Sequence, residues 1–270
     1  MQQLEEYGMS KNIIYCFSGT GNCLNLAKLL KKELADLGGD ETEIIMMRKN
    51  LSRFDATDAD RVGFIFPCYA GGAPAGVVET IEKIETRPDA YTFGICSYAA
   101  YMGTGLYKIN KVKNLDYWNG VPHHCSCIWL LPHKLTMPML SVEDAQKNNS
   151  KKAHMMAKDI LGRKYRKAPP MRPLNQVESA AWPMLSVKKS NKLKANPEKC
   201  VLCGQCAKLC PRQNIKVTKT KVVFGSDCVG CLGCLQYCPQ EAITMGKLTD
   251  IREKYHNPDV TVEELTQDVL

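Results

Sequence analysis

No apolar run in this sequence approaches the ~18–20 residues needed to cross a bilayer, so no membrane span is expected. The opening Met1-Gln-Gln-Leu-Glu-Glu lacks the basic and apolar regions of a secretory signal, which points to a cytoplasmic protein. There is no G-x-x-x-x-G-K-[ST] phosphate loop. The dinucleotide fingerprint G-x-G-x-x-G fails after Gly19 and Gly21, because Leu24 stands where the third glycine belongs. No Ser-His-Asp set, carboxylate pair or zincin motif is present. Lys and Arg outnumber Asp and Glu by 36 to 28, yet no nucleic-acid reading motif accompanies that charge, so nucleic acid is not an expected partner.

Cysteine, by contrast, is abundant, with 14 in 270 residues. Eight fall in two runs, Cys200-x2-Cys203-x2-Cys206-x3-Cys210-Pro211 and Cys228-x2-Cys231-x2-Cys234-x3-Cys238-Pro239. This is the bacterial two-cluster ferredoxin spacing. Three thiolates two residues apart can curl around one face of a cubane, and the fourth must come from elsewhere. In this pattern the last cysteine of each run ligates the other cluster. Cys200, Cys203, Cys206 and Cys238 are therefore expected at one [4Fe–4S] cluster, and Cys228, Cys231, Cys234 and Cys210 at a second. Zinc is the competing ligand for C-x2-C pairs, but it rarely uses a third cysteine at this spacing. A disulfide scaffold fits poorly without a signal peptide. Displayed cluster ligands suit an anaerobe or another low-oxygen setting.

The positive charge is concentrated. Between Lys147 and Lys199 fourteen Lys and Arg face three acidic residues, within a chain of net charge +8. Such a band suits an acidic redox protein as partner, or simply a solvated linker surface.

Up to about residue 165, short apolar runs alternate with amphipathic segments, which predicts an α/β domain with a parallel sheet. Strands are expected at 12–16, 43–47, 61–66 and 90–96, with a fifth running up to Leu131. Helices are expected at 22–37, 73–85, 105–112 and 142–163. Five prolines between Pro169 and Pro197 predict an irregular linker, and Thr261-Val-Glu-Glu264 reads as a capping box. The expected divisions are 1–167, a Pro-rich basic linker at 168–195, an iron–sulfur domain at 196–246 and a helical tail at 247–270.

The first strand runs into Phe17-Ser18-Gly19-Thr20-Gly21-Asn22-Cys23, with a helix behind it. Backbone N–H groups at a helix start cradle phosphate. A hydroxyl-rich loop without Lys or Arg suits the phosphate of FMN. Ligands of open α/β sheets bind beyond the carboxyl ends of the strands. The other two strand ends expected there carry Pro67-Cys68-Tyr69-Ala70-Gly71-Gly72 and Ser97-Tyr98-Ala99-Ala100-Tyr101-Met102-Gly103, suited to backbone contact and ring stacking on an isoalloxazine.

With these motifs the amino-terminal half resembles a flavodoxin, and nearly the whole chain resembles the flavodoxin–ferredoxin fusion family of anaerobic bacteria and archaea. Ser-Gly-Thr-Gly-Asn, Tyr-Ala-Gly-Gly-Ala-Pro, the double cysteine motif and Lys254-Tyr-His-Asn-Pro-Asp-Val-Thr carry the likeness; Met1 to Gly8 look like an added extension. The resemblance implies a flavodoxin-like, doubly wound, five-stranded parallel sheet followed by a smaller α+β ferredoxin domain. It also implies that Ser18, Thr20, Gly21 and Asn22 hold the flavin phosphate. Cys23 departs from the family hydroxyl and would weaken one hydrogen bond, ~0.5–1.5 kcal/mol.

His123-His124-Cys125-Ser126-Cys127 falls in the expected fifth strand, where alternation divides it between two faces; packing is the expected role. Cys16 and Cys96 are expected in the core, while Cys68 lies in a loop facing the flavin. Trp118, Trp129 and Trp182 are expected to fill cores or the domain seam. The reading reached is an electron-transfer flavo-iron–sulfur protein exchanging single electrons with an external partner. Two alternatives stand beside it: an FMN-dependent reductase of a small-molecule substrate, and a flavin-free iron–sulfur binding or sensing module.

Overall fold

The computed structural model describes residues 10–127, 140–190, 192–246, 249 and 253–270. Five strands, β1 (Lys11–Cys16), β2 (Glu41–Met46), β3 (Arg61–Pro67), β4 (Tyr91–Tyr98) and β5 (Tyr117–Pro122), form one parallel sheet in the order β2-β1-β3-β4-β5. That is the flavodoxin order of doubly wound folds. The helices α1 (Asn22–Gly38), α2 (Val77–Glu82), α3 (Gly105–Lys113) and α4 (Val142–Leu161) complete this layer structure.

Strand alternation builds the two faces. Ile14 and Cys16 point into one core with Leu26, Leu30 and Leu34 of α1 and Met156 and Ile160 of α4. Ile13, Tyr15 and Phe17 enter the other with Val77, Ile81, Leu106 and Ile109 of α2 and α3. Both faces are covered, as expected of a parallel sheet. Truncating fully buried Leu30 to Ala would cost about 2–5 kcal/mol.

The expected strands and helices fall within a few residues of those observed, with two corrections. β5 ends at Pro122, so residues 123–127 are not strand; they turn across the carboxyl edge of the sheet. The expected continuation at 128–131, Trp129 and the Met1–Gly8 extension lie outside the described residues. Within the expected irregular linker, an 18-residue helix, α5 (Pro173–Ser190), forms instead. Proline is compatible with the first helical position, where its missing N–H would have no partner anyway. Trp182 on α5 is buried against Leu232, Leu235 and Tyr69, at the seam with the cysteine-rich segment.

That segment holds β6 (Lys194–Ala195), α6 (Gln205–Leu209), β7 (Ile215–Val217), β8 (Val222–Phe224), α7 (Gly233–Gln236) and β9 (Ile243–Thr244). β7 pairs with β8 and β6 with β9, both antiparallel. A final helix, α8 (Val262–Thr266), starts with the expected capping box of Thr261 and Glu264. The chain then returns to the first sheet. Ile44 N–H donates to the Leu270 carbonyl, Leu270 N–H to that of Ile44, and Met46 N–H to that of Asp268. These bonds occupy the open edge of β2.

Candidate redox sites

The two cysteine runs fold as a repeated unit. Left-handed backbone recurs at matching positions, Leu202 and Gly204 in the first run and Gly230 and Leu232 in the second. Each leucine accepts a conformation costing roughly 1–2 kcal/mol, because the loop must curl to turn its thiols inward. After the runs, Asn214 N–H donates to Cys210 Sγ and Ala242 N–H to Cys238 Sγ, each at 3.3 Å. Cys200, Cys203, Cys206 and Cys238 line one pocket. Cys210, Cys228, Cys231 and Cys234 line another.

Among the described residues, no three His, Cys, Asp or Glu lie close enough to share a single metal ion. Burial pushes the Cys231 thiol up to about 12 and Cys206 to about 11. A bound cationic iron core would reverse that cost by stabilising thiolate.

At the carboxyl edge of the sheet, β1 delivers residues 18–21 to the start of α1. Gly21 takes φ 91°, α1 has no side-chain cap, and its first turn carries no acidic residue. Among the described residues, the backbone N–H groups of Ser18, Gly19, Thr20 and Gly21 meet no backbone carbonyl. The Ser18 hydroxyl is buried without a hydrogen-bond partner. An unopposed positive helix end with unmet donors fits a phosphate. Thr20 Oγ1 and Asn22 Nδ2 currently engage residues 123–127: Thr20 donates to Ser126 Oγ at 3.1 Å and Asn22 to the His124 carbonyl at 3.5 Å. The Asn22 carboxamide oxygen accepts from Tyr255 OH at 2.8 Å. An arriving phosphate would share these two side chains.

The loop opens into a cleft at the carboxyl edge of the sheet. Of the residues expected there, Ser18, Gly19, Thr20, Asn22, Cys23, Pro67, Tyr69, Ser97, Tyr98 and Ala99 line it. Gly71 and Gly72 instead lie under α5, against Asn175, Glu178 and Ser179, and Gly103 packs on Gly71. Tyr101 hydroxyl bonds Glu178 of α5. Gly21 is crowded by Tyr237 and Asn257, and Ala70 joins the apolar seam. Tyr69 stands edge-on to Phe17 with centroids 6.4 Å apart and bridges the second sheet core and the seam. Cys23 is buried, and burial drives its thiol far above its ordinary range despite a hydrogen bond with Ser97.

Sequence reasoning missed what residues 123–127 do. His123, His124, Cys125, Ser126 and Cys127 all line the cleft. No local pattern signals this, because the contacts to Thr20 and Asn22 span about a hundred residues of chain.

The two sites touch. A Cβ built on Gly19 would lie 2.7 Å from both Cβ and the carbonyl oxygen of Cys231, and one on Gly233 would lie 2.6 Å from the Gly19 carbonyl. Gln236 Nε2 donates to the Ser126 carbonyl at 2.8 Å. Arg48, half-buried beyond the end of β2, donates to the carbonyls of Lys208 and Leu265, within electrostatic reach of Cys210 and Cys231.

A family model of the 4Fe-4S dicluster domain matches residues 192–239. No curated protein matches the sequence. Among solved structures, the chain is similar to an azoreductase from Bacillus anthracis, at 10% identity and TM-score 0.40 over 56% of this chain and 100% of that one. It is similar also to Megasphaera elsdenii flavodoxin, at 14% identity and TM-score 0.35 over 53% and 98%. Rubredoxin oxygen:oxidoreductase from Desulfovibrio gigas matches at 12% identity and TM-score 0.38 over 57% of this chain and only 36% of that larger one. By its own strand order and by the matched cysteine segment, the chain joins a flavodoxin-like α/β fold to a 4Fe-4S dicluster domain.

Proposed function

We propose that this is an electron-transfer flavo-iron–sulfur protein, with FMN in the cleft at the sheet edge and one [4Fe–4S] cluster in each cysteine quartet. Bound FMN would supply a carrier for two electrons taken singly, and each cluster a carrier for one. The observation that carries this reading is the packing of Cys231 and Gly233 directly against Gly19. A ligand of one proposed cluster abuts the proposed phosphate loop with nothing between them, so the two sites form one unit.

The remaining roles follow from the surroundings. The N–H groups at residues 18–21 and the Ser18 hydroxyl receive the phosphate, while Ser97, Tyr98 and Ala99 border the ring. N–H donors to Cys210 and Cys238 stabilise the charged sulfurs. Cys203 is solvent-exposed, which makes its quartet the natural port for an external redox protein. The exposed lysines Lys194, Lys199, Lys216 and Lys221 favour an acidic partner.

Anaerobic purification with iron and flavin quantified per chain tests this directly. Eight irons and one FMN are expected. Four irons would refute two clusters, and an iron–sulfur spectrum without flavin bands on FMN addition would refute the flavoprotein assignment. The reductase alternative gains support from the open cleft; its test is oxidation of the reduced flavin by a small molecule in the absence of any redox protein.

A further inference from the structure

His123 is the least explained side chain of the cleft. Its residue is 2% exposed, and among the described residues neither Nδ1 nor Nε2 has a well-formed hydrogen-bond partner, the His124 backbone alone coming near. Native proteins seldom bury such a group unpaired, since each lost hydrogen bond to water is uncompensated. Its backbone is fixed, with the His123 N–H donating to the Tyr98 carbonyl at 2.7 Å. The imidazole therefore sits beside the β4 end, among the cleft-lining residues Ser97, Tyr98 and Ala99. The neighbouring His124 is already committed, through Nδ1 to the Leu140 carbonyl and through its ring against Tyr255. Ser18, the other unpaired polar group that lines the cleft among the described residues, belongs to the proposed phosphate loop. The cleft thus offers two unmet polar demands, one on the phosphate loop and one beside the strand end expected to border the ring.

We infer that His123 is a positioning residue for the heteroaromatic ring of the cleft's ligand, meeting its polar edge as a neutral imidazole with one donor and one acceptor. The inference rests on the reading that the cleft binds FMN. A neutral imidazole offers one N–H and one bare nitrogen, which complements the alternating carbonyls, ring nitrogens and imide N–H of an isoalloxazine. A phosphate, acceptor-only, would use just half of that capacity. Burial holds the His123 pKa down at about 4, so this neutral form prevails near pH 7.

The test titrates flavin-depleted protein, its clusters intact, with FMN and with riboflavin, which carries the same ring without the phosphate. His123→Leu is expected to weaken both by about 5–10-fold, the value of one neutral hydrogen bond, and His123→Gln to recover most of that loss. Ser18→Ala should weaken FMN while leaving riboflavin unchanged. The ligand-free His123→Leu protein should melt no lower than wild type, because the substitution removes an unpaired buried polar group. Unchanged affinity in His123→Leu, or a loss seen for FMN but not riboflavin, would overturn the ring assignment. Wild-type protein that binds neither flavin would overturn the flavin reading itself, and this inference with it.

Discussion

Replacing Gly19 by alanine tests the contact on which the proposed function stands. The new methyl would sit 2.7 Å from Cys231 Cβ and 2.7 Å from its carbonyl oxygen, with Tyr69 OH at 3.0 Å. Ordinary contact needs about 3.4 Å or more, so the cysteine loop and the phosphate loop must part by roughly 0.7 Å. Two of the three obstacles belong to a single residue anchored in a cluster quartet, and one is backbone, so rotamer changes cannot relieve the clash. Overpacking of this kind costs about 1–3 kcal/mol, a fall in melting temperature of roughly 2–4 °C per kcal/mol for a domain of 150–250 residues. Urea unfolding of the cluster-loaded protein reads the stability, while iron content confirms that the quartets survive. An alanine variant with full iron and stability within about 0.5 kcal/mol of wild type would show that the loops are not pressed together, and the argument for a single redox unit would fail.

Other consequences are open to measurement. Arg48→Met removes a cation facing Cys210 and Cys231 and should lower the midpoint potential of that cluster by an amount on the order of 1 kcal/mol, tens of millivolts for one electron; an unchanged value in an EPR-monitored titration would refute this. Asp40 pairs with Arg61 at 2.7 Å, both residues over nine-tenths buried, so Asp40→Ala should destabilise the protein by about 3–5 kcal/mol in urea unfolding. For His123, the folded-state pKa of about 4 lies below the ordinary 6.5, so the unfolded chain binds the extra proton. Folding therefore pays no protonation penalty above pH 6.5 and loses up to about 3 kcal/mol as pH falls towards 4, because the buried imidazole must stay neutral; His123→Gln should remove that part of the acid slope. Cys203→Ser, at the exposed quartet, should alter the EPR signature of one cluster and leave the other intact.

Much of the architecture is legible where local chemistry decides it. Short continuous apolar runs such as Ile13-Ile14-Tyr15-Cys16 mark strands buried on both faces, and Leu26, Leu30 and Leu34 mark a helix face. The cysteine spacing groups Cys200, Cys203, Cys206 and Cys238 apart from Cys210, Cys228, Cys231 and Cys234, and the same two groups line separate pockets. Legibility failed where distant contacts decide. Five prolines argued against structure at 168–197, yet α5 begins at Pro173 and is held by Trp182 in the seam. Alternation around His123 to Cys127 suggested more strand, whereas these residues are drawn across the cleft by Thr20, Asn22 and Gln236. Gly71 and Gly72 carried the composition of a ligand loop but serve close packing beneath α5.

The strand-like pairing of Asp268 and Leu270 with β2 has a consequence for dissection. Asn257 N–H also donates to the Thr20 carbonyl at 2.8 Å, so the far end of the chain closes both the sheet edge and the loop that opens α1. A cut anywhere in 168–195 would leave the amino-terminal piece with a bare, aggregation-prone edge strand and a loop missing its lid of Tyr255 and Asn257. The two halves are thus interlaced rather than strung in series. Such long-range closure makes completion of the cleft at the sheet edge depend on docking of the cysteine-rich segment and the tail behind it.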